Sequence, residues 1–319
     1  MATLCPMKIM VKFRKTTIRD TIIYSFGKHR IRYSGDDDKM VLTKMAKKIA
    51  QLYAENQNVD AVLLGGSVSR GWQDEFSDIE LLIFWKQPPT DEERKMTILE
   101  LGGTILEFHP FEDEEWSETY TIQGVKLEIS NFQTATIHRF LNATIQLFDT
   151  APETQCIAAA IDHGLALSGE PVIADMKKQI ETYPDELRQA MIAANIDFGG
   201  RWSNREALLH RRDWLMLYGV MADVETKIMS VLFGLNRQYV VHPGFKWQRK
   251  SLEGMTIKPE DIADRLESVF LGTPGDGVKE LEAIIQELFD LIGREFPQSD
   301  LSDAKKQTER VRPRNHSQG

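Results

Sequence analysis

The chain has 319 residues, with 39 Lys and Arg against 48 Asp and Glu, for a net charge of −9. That length implies about two domains, because single cores stop growing near ~250–300 residues, and 42% hydrophobic with 27% charged residues excludes a wholly disordered chain. The charge is uneven: residues 1–50 carry 12 basic and four acidic side chains (+8), residues 51–301 carry 22 and 42 (−20), and residues 302–319 carry five and two (+3).

Residues 1–38 read as a basic N-terminal extension, with short strands at Lys8–Phe13 and Thr21–Ser25 and a loop over Ser34–Asp38. Met40, Val41, Met45, Ile49 and Leu52 recur at helical spacing, which predicts an amphipathic helix over 39–56. Asp60–Leu64 is a short apolar run, a buried strand stopped by Gly65-Gly66-Ser67. Ile79–Trp85 is a second buried strand. Asp91–Leu101 reads as a helix, and Thr104–Pro110, Thr119–Gln123 and Val125–Phe132 as strands, the last two joined by a turn at Gln123-Gly124. After Phe132 the periodicity becomes helical: 135–148, 153–165, 174–182, 185–197, 204–233, 259–270 and 277–294. Ser299–Gly319 is polar and aperiodic, and reads as a mobile tail. The expected organisation is an extension to residue 38, an α/β domain over 39–134, a helical domain over 135–298 and the tail.

Several function classes drop out. Phosphate-backbone contacts need clustered Lys and Arg, so a body carrying −20 is not expected to bind nucleic acid. Cys5 and Cys156 form no zinc spacing and no disulfide framework. No apolar run approaches the roughly 20 residues of a membrane span, and the N-terminus lacks a long apolar signal region. The expectation is a cytoplasmic protein with no membrane partner.

The chemistry is concentrated in Leu63-Leu64-Gly65-Gly66-Ser67-Val68-Ser69-Arg70-Gly71, followed by Ser77-Asp78-Ile79-Glu80-Leu81. Glycines at a strand end let a ligand approach the backbone. Ser67 is placed to cap a following helix, whose free N–H groups suit phosphate. Strand side chains alternate, so Asp78 and Glu80 share a face while Ile79 and Leu81 take the other. Two carboxylates beside such a loop make a divalent-metal site; without a cation they repel and raise each other's pKa. In Val125-Lys126-Leu127-Glu128-Ile129 the apolar positions alternate, so Glu128 points away from them and is a candidate third carboxylate.

Gly66-Ser67, ten intervening residues and then Asp78-Ile79-Glu80-Leu81 resembles the signature of the DNA polymerase β-like nucleotidyltransferase superfamily. The pattern Ser77-Asp78-Ile79-Glu80 ahead of a helical half is similar to aminoglycoside and lincosamide nucleotidyltransferases and to uncharacterised bacterial relatives. The resemblance implies an α+β fold: a small mixed nucleotidyltransferase sheet with flanking helices, followed by an all-helical domain. It implies a magnesium-dependent transferase that moves a nucleoside monophosphate from an NTP such as ATP to a hydroxyl of a small molecule, releasing pyrophosphate. Asp78, Glu80 and Glu128 would be catalytic and hold Mg²⁺, two ions in all. Gly65, Gly66, Ser67 and Arg70 would bind the nucleotide's phosphates. AMP transfer to a protein side chain and an inactive partner-binding scaffold are the alternatives. A homodimer sharing its cleft is compatible with the resemblance.

On the acceptor side, Asp213 lies between Leu209 and Leu217 at helical spacing, which predicts a half-buried carboxylate able to act as a general base. Glu206, Asp223 and Glu225 are weaker rivals. Lys246, Arg249 and Lys250 form a basic cluster beside Trp247, and Lys246 is a candidate nucleotide-binding residue.

Overall fold

The structure is a computed structural model, and it describes the backbone of residues 23–26, 29–32 and 35–314 and the side chains of 41–314. A hairpin of β1 (Ile23–Phe26) and β2 (His29–Arg32) precedes α1 (Gly35–Glu55). Then follow β3 (Val59–Leu64), α2 (Gly66–Arg70), β4 (Ile79–Trp85), α3 (Asp91–Glu100), β5 (Thr104–Phe108), β6 (Trp116–Ile122) and β7 (Val125–Gln133). The second half holds α4 (Thr134–Gln146), α5 (Pro152–His163), β8 (Leu165–Ser168), α6 (Glu170–Gln179), α7 (Asp185–Asn195), α8 (Arg205–Arg211) and α9 (Trp214–Leu235). It closes with α10 (Gln248–Glu253), α11 (Ile262–Leu271), α12 (Pro274–Glu295) and α13 (Ser302–Glu309).

One six-stranded mixed sheet, in the order β5-β6-β7-β4-β3-β8, forms the frame. β4 runs parallel to β7 and antiparallel to β3. β3 and β4 are buried on both faces, so they read as continuous apolar runs. Ile79, Leu81, Ile83 and Trp85 point to one face and pack with Met45, Ile49 and Tyr53 of α1. Leu82, Phe84, Leu63 and Phe132 point to the other and merge with the core of the helical half, through Leu141 of α4 and Ala158 of α5. Glu80 belongs to the second face by alternation, so the acidic end of β4 looks toward the helices. This is the α+β class expected.

A buried polar chain fixes the strands that carry the carboxylates. The Arg94 Nε of α3 donates to Glu118 Oε2 on β6 at 2.9 Å, and Arg94 Nη2 lies 2.5 Å from the same oxygen. Asn131 on β7 donates to Glu118 Oε1 at 3.0 Å, and Trp85 Nε1 on β4 donates to Asn131 at 2.9 Å. Arg94 and Glu118 have fully buried side chains. Removing one partner of such a pair leaves an uncompensated charge, which costs about 3–5 kcal/mol. Arg94→Met should therefore lose about that much in urea unfolding, while the double change Arg94→Met with Glu118→Leu recovers most of it. A single-variant loss under about 1 kcal/mol contradicts this role.

The structure departs from the sequence expectations in several places. The strand expected at Lys8–Phe13 lies outside the described residues, as does Cys5. The loop expected over Ser34–Asp38 is the first turn of α1 from Gly35 onward. The helix expected to run to 165 ends at His163, and Leu165–Ser168 joins β3 as the sheet's edge strand, so the sheet recruits chain beyond residue 134. The single helix expected over 204–233 breaks at Arg212, whose φ is +61°, between α8 and α9. The expected tail is helical over Ser302–Glu309; Thr308 is buried, and the backbone N–H of Arg312 donates to the Ser203 carbonyl at 2.8 Å. Among the described residues no helix is long and apolar enough to cross a membrane.

Candidate active site

Asp78 immediately precedes β4, Glu80 is its second residue, and Glu128 is the fourth of β7. The parallel β4–β7 register pairs Glu80 directly with Glu128. Asp78, Glu80 and Glu128 each offer a carboxylate oxygen within 4.8 Å of the others, and all three are half-buried. The expected strand alternation thus places three acids on one sheet face, in one cluster.

The glycine loop lies against this cluster. The Gly65 N–H donates to the Glu80 carbonyl at 2.9 Å, fastening the end of β3 to β4. Gly66 has φ +63°, and a Cβ there would meet the Glu80 carboxylate at 2.4 Å. The Glu80 side chain occupies the space that only glycine leaves open. The helix starts differently from the expectation: Gly65 is the N-cap of α2 with no side-chain cap, and Ser67 is buried inside the first turn instead of capping it. That turn still leaves N–H groups without intrahelical acceptors.

Arg70 lies at the last turn of α2. Its guanidinium donates to the Gly66 carbonyl at 3.2 Å and to the Ala159 carbonyl of α5 at 3.4 Å, and it stacks on Trp72 at 5.6 Å. Burial pulls its pKa down, against the opposing pull of Glu80. In the structure, therefore, Arg70 ties the glycine loop to the helical half.

The cluster's electrostatics follow from crowding. Burial pushes the Glu80 carboxyl up first, and the Asp78 and Glu128 charges add to it, while Lys246 and Arg70 oppose. The cation nearest the carboxylates is one the sequence reading passed over. Lys126 Nζ lies 3.3 Å from Asp78 Oδ2 and also hydrogen-bonds Glu128 Oε1. Lys126 sits two residues before Glu128 on β7, so the same alternation that exposed Glu128 puts Lys126 beside it.

The donor set fits a hard divalent cation. Three carboxylates bring oxygen ligands, which suit Mg²⁺ or Mn²⁺. A positive group already bridges two of them, and a glycine shapes the space behind the third.

A raised Glu80 pKa carries a stability consequence with a definite sign. A carboxyl whose folded pKa lies above its unfolded value contributes stability below the unfolded pKa, and that contribution is lost as pH rises through the folded one. At neutral pH the ionised Glu80 is thus a cost to the fold. Glu80→Gln should raise the melting temperature at neutral pH in the presence of a chelator, with the gain vanishing toward acid pH. A lower neutral-pH melting temperature contradicts this.

The other candidates are divided. The loop leaving α9 runs over residues 236–247 and is anchored by Phe245, which is buried against Phe233 at 5.8 Å. It carries exposed Lys246 close enough for its charge to act on Glu80. His242 lies on the same loop, its pKa pulled down by burial and by Lys246 against the pull of Glu128. Trp247 packs against Trp72 at 6.4 Å. Arg249 pairs with Asp264 and Glu267, and Lys250 with Glu253, so the expected basic cluster is divided among structural ion pairs. Asp213 is exposed, not half-buried, because the break at Arg212 makes it the N-cap of α9. It stands ~33 Å along that helix from the end where the loop departs. The structure does not bring Asp213 to the carboxylates.

Residues 150–248, 99 of the 319, match a domain family of unknown function, DUF4037. No curated protein matches the chain. Among solved structures the chain is similar to a nucleotidyltransferase-like protein from Exiguobacterium sibiricum 255-15, at 15% identity over 81% of each chain with a TM-score of 0.34. It is also similar to the Cid1 poly(U) polymerase, at 12% identity over 40% of this chain and 41% of that one, TM-score 0.27. A cytoplasmic RNA terminal U-transferase is similar at 11% identity over 39% and 38%, TM-score 0.28. At such distances the functional reading rests on the site itself.

Proposed function

We propose that the protein is an enzyme, a divalent-metal-dependent nucleotidyltransferase that moves a nucleoside monophosphate from an NTP to a hydroxyl of a small molecule. The observation that carries this reading is the convergence of Asp78, Glu80 and Glu128 within 4.8 Å, against a glycine whose missing Cβ makes room for Glu80. Asp78, Glu80 and Glu128 would hold Mg²⁺, which supplies charge neutralisation on the triphosphate. The first-turn N–H groups of α2 would take the incoming phosphates, and exposed Lys246, whose charge acts on Glu80, would add a cation. The acceptor oxygen bonds to the α-phosphorus as the bridging oxygen to the β-phosphorus leaves with pyrophosphate. Glu128, with a side chain 46% exposed against 15% for Asp78, would take the proton of that hydroxyl as the bond forms.

A cavity of ≈ 250 Å³ lies between Trp72, Asp162, Tyr183, Arg237 and Tyr239. Its aromatic walls and mixed charges suit a small polar ring-bearing molecule, and Trp72 connects it to Arg70 and the glycine loop. The −20 of residues 51–301 favours a neutral or cationic acceptor over a polyanion.

The test is incubation with α-labelled NTPs and Mg²⁺ in the presence of hydroxylated small molecules, with pyrophosphate release as the second readout. Label on a small molecule with stoichiometric pyrophosphate supports the proposal. Label confined to protein moves the acceptor to a side chain, and no label with any NTP removes the enzymatic reading.

A further inference from the structure

Lys126 is unexplained by the metal site alone. It shares the sheet face of Glu128, two residues before it on β7, and its ammonium reaches both Asp78 and Glu128, two of the three proposed metal ligands. A strand position beside an acidic cluster does not require a cation, since Thr or Ser fills such a half-exposed site as well. Nor does the fold need this side chain for packing, because it is exposed. What the ammonium does is neutralise a cluster that otherwise holds three carboxylates within 4.8 Å.

We infer that Lys126 is a resident counter-ion of the carboxylate cluster and must be displaced when a divalent cation enters, so that it sets the affinity of the site for metal. The inference rests on the reading of Asp78, Glu80 and Glu128 as the metal ligands. Two positive groups cannot share the same carboxylate oxygens at contact distance, because their mutual repulsion adds to the loss of ligands. The exchange is cheap for the protein. Lys126 has a flexible four-carbon stem and a side chain 46% exposed, so its ammonium can swing into water and recover hydration there. Glu80 takes no part in this pairing: its carboxylate stays over Gly66 and remains the fixed ligand. Lys126 is thus a positioning residue, keeping Asp78 and Glu128 turned toward each other before metal arrives.

The test is a Mn²⁺ titration of the full chain, followed by the loss of the free-ion paramagnetic signal, for wild type, Lys126→Met and Lys126→Arg. Lys126→Met keeps most of the stem and removes the charge, so Mn²⁺ should bind ~10-fold more tightly or better, even after screening at this half-exposed position. Lys126→Arg keeps the competitor and should bind within a few-fold of wild type. A second readout is thermal: with chelator Lys126→Met should melt lower than wild type, and saturating Mn²⁺ should raise its melting temperature by more. Equal or weaker Mn²⁺ binding by Lys126→Met, with wild type binding normally, overturns the counter-ion role alone. No Mn²⁺ binding by wild type overturns the metal site and the counter-ion role together.

Discussion

Asp78→Asn should lower nucleotidyl transfer by at least ~10³-fold, about 4 kcal/mol of transition-state stabilisation, and leave the fold intact. Asp78 is outside the strand proper, one residue before Ile79, so no core contact depends on its charge. Its carboxylate is one of three in the cluster, and an amide there brings no negative charge and a poorer ligand. Because Asp78 also meets Lys126, the amide frees that ammonium to pair with Glu128 alone, which further disfavours metal. The circular dichroism spectrum and melting temperature should match wild type. Activity near wild type would mean that the site is misassigned.

Gly66→Ala should also be damaging, for a geometric reason. The residue has φ +63°, where a side chain costs about 1–2 kcal/mol. Beyond that strain, the new Cβ would stand 2.4 Å from the Glu80 carboxylate, so either Glu80 or the loop must move. A displacement near 1 Å of a catalytic group costs on the order of 10²-fold in rate. The expected result is a drop of about that size or more, with weakened metal binding. Gly71→Ala is the matched control. Gly71 is also left-handed, at φ +70°, but a Cβ there meets nothing within 4 Å. It should cost stability of ~1 kcal/mol from strain and little activity. Equal activity losses in the two variants would show that backbone strain, not the Glu80 contact, is what matters.

The part of this site that was legible in the sequence depended on short-range rules. Alternation put Asp78 and Glu80 on one face, and the buried run Ile79–Trp85 made that strand unambiguous. Glu128 needed one more step, the parallel pairing of β7 with β4, which no local pattern states. Lys126 was within reach of the same alternation, since it sits two residues before Glu128, but the search for ligands passes over cations. His242 and Trp72 carried no local signal: one lies on the loop anchored by Phe245, where the Glu128 charge acts on it, and the other follows the short α2. The break at Arg212 has no glycine or proline to announce it, so Leu209 and Leu217 read as one stripe and Asp213 as half-buried between them. The four-residue edge strand Leu165–Ser168 exists because β3 offers it a partner, a tertiary cause that periodicity does not encode.

The charge distribution takes on a different meaning with the site in view. The excess of acids over residues 51–301 includes three that crowd at one end of the sheet, where burial and mutual repulsion already strain Glu80. A divalent cation there reverses the local field and admits a polyanionic triphosphate to an acidic protein. The most direct measurement is calorimetric titration of each NTP into wild type and Asp78→Asn, with Mg²⁺ and with chelator. Wild type should bind at least one NTP, the binding should require Mg²⁺, and Asp78→Asn should lose it. Absence of Mg²⁺-dependent binding to wild type, or equal binding by Asp78→Asn, would contradict it.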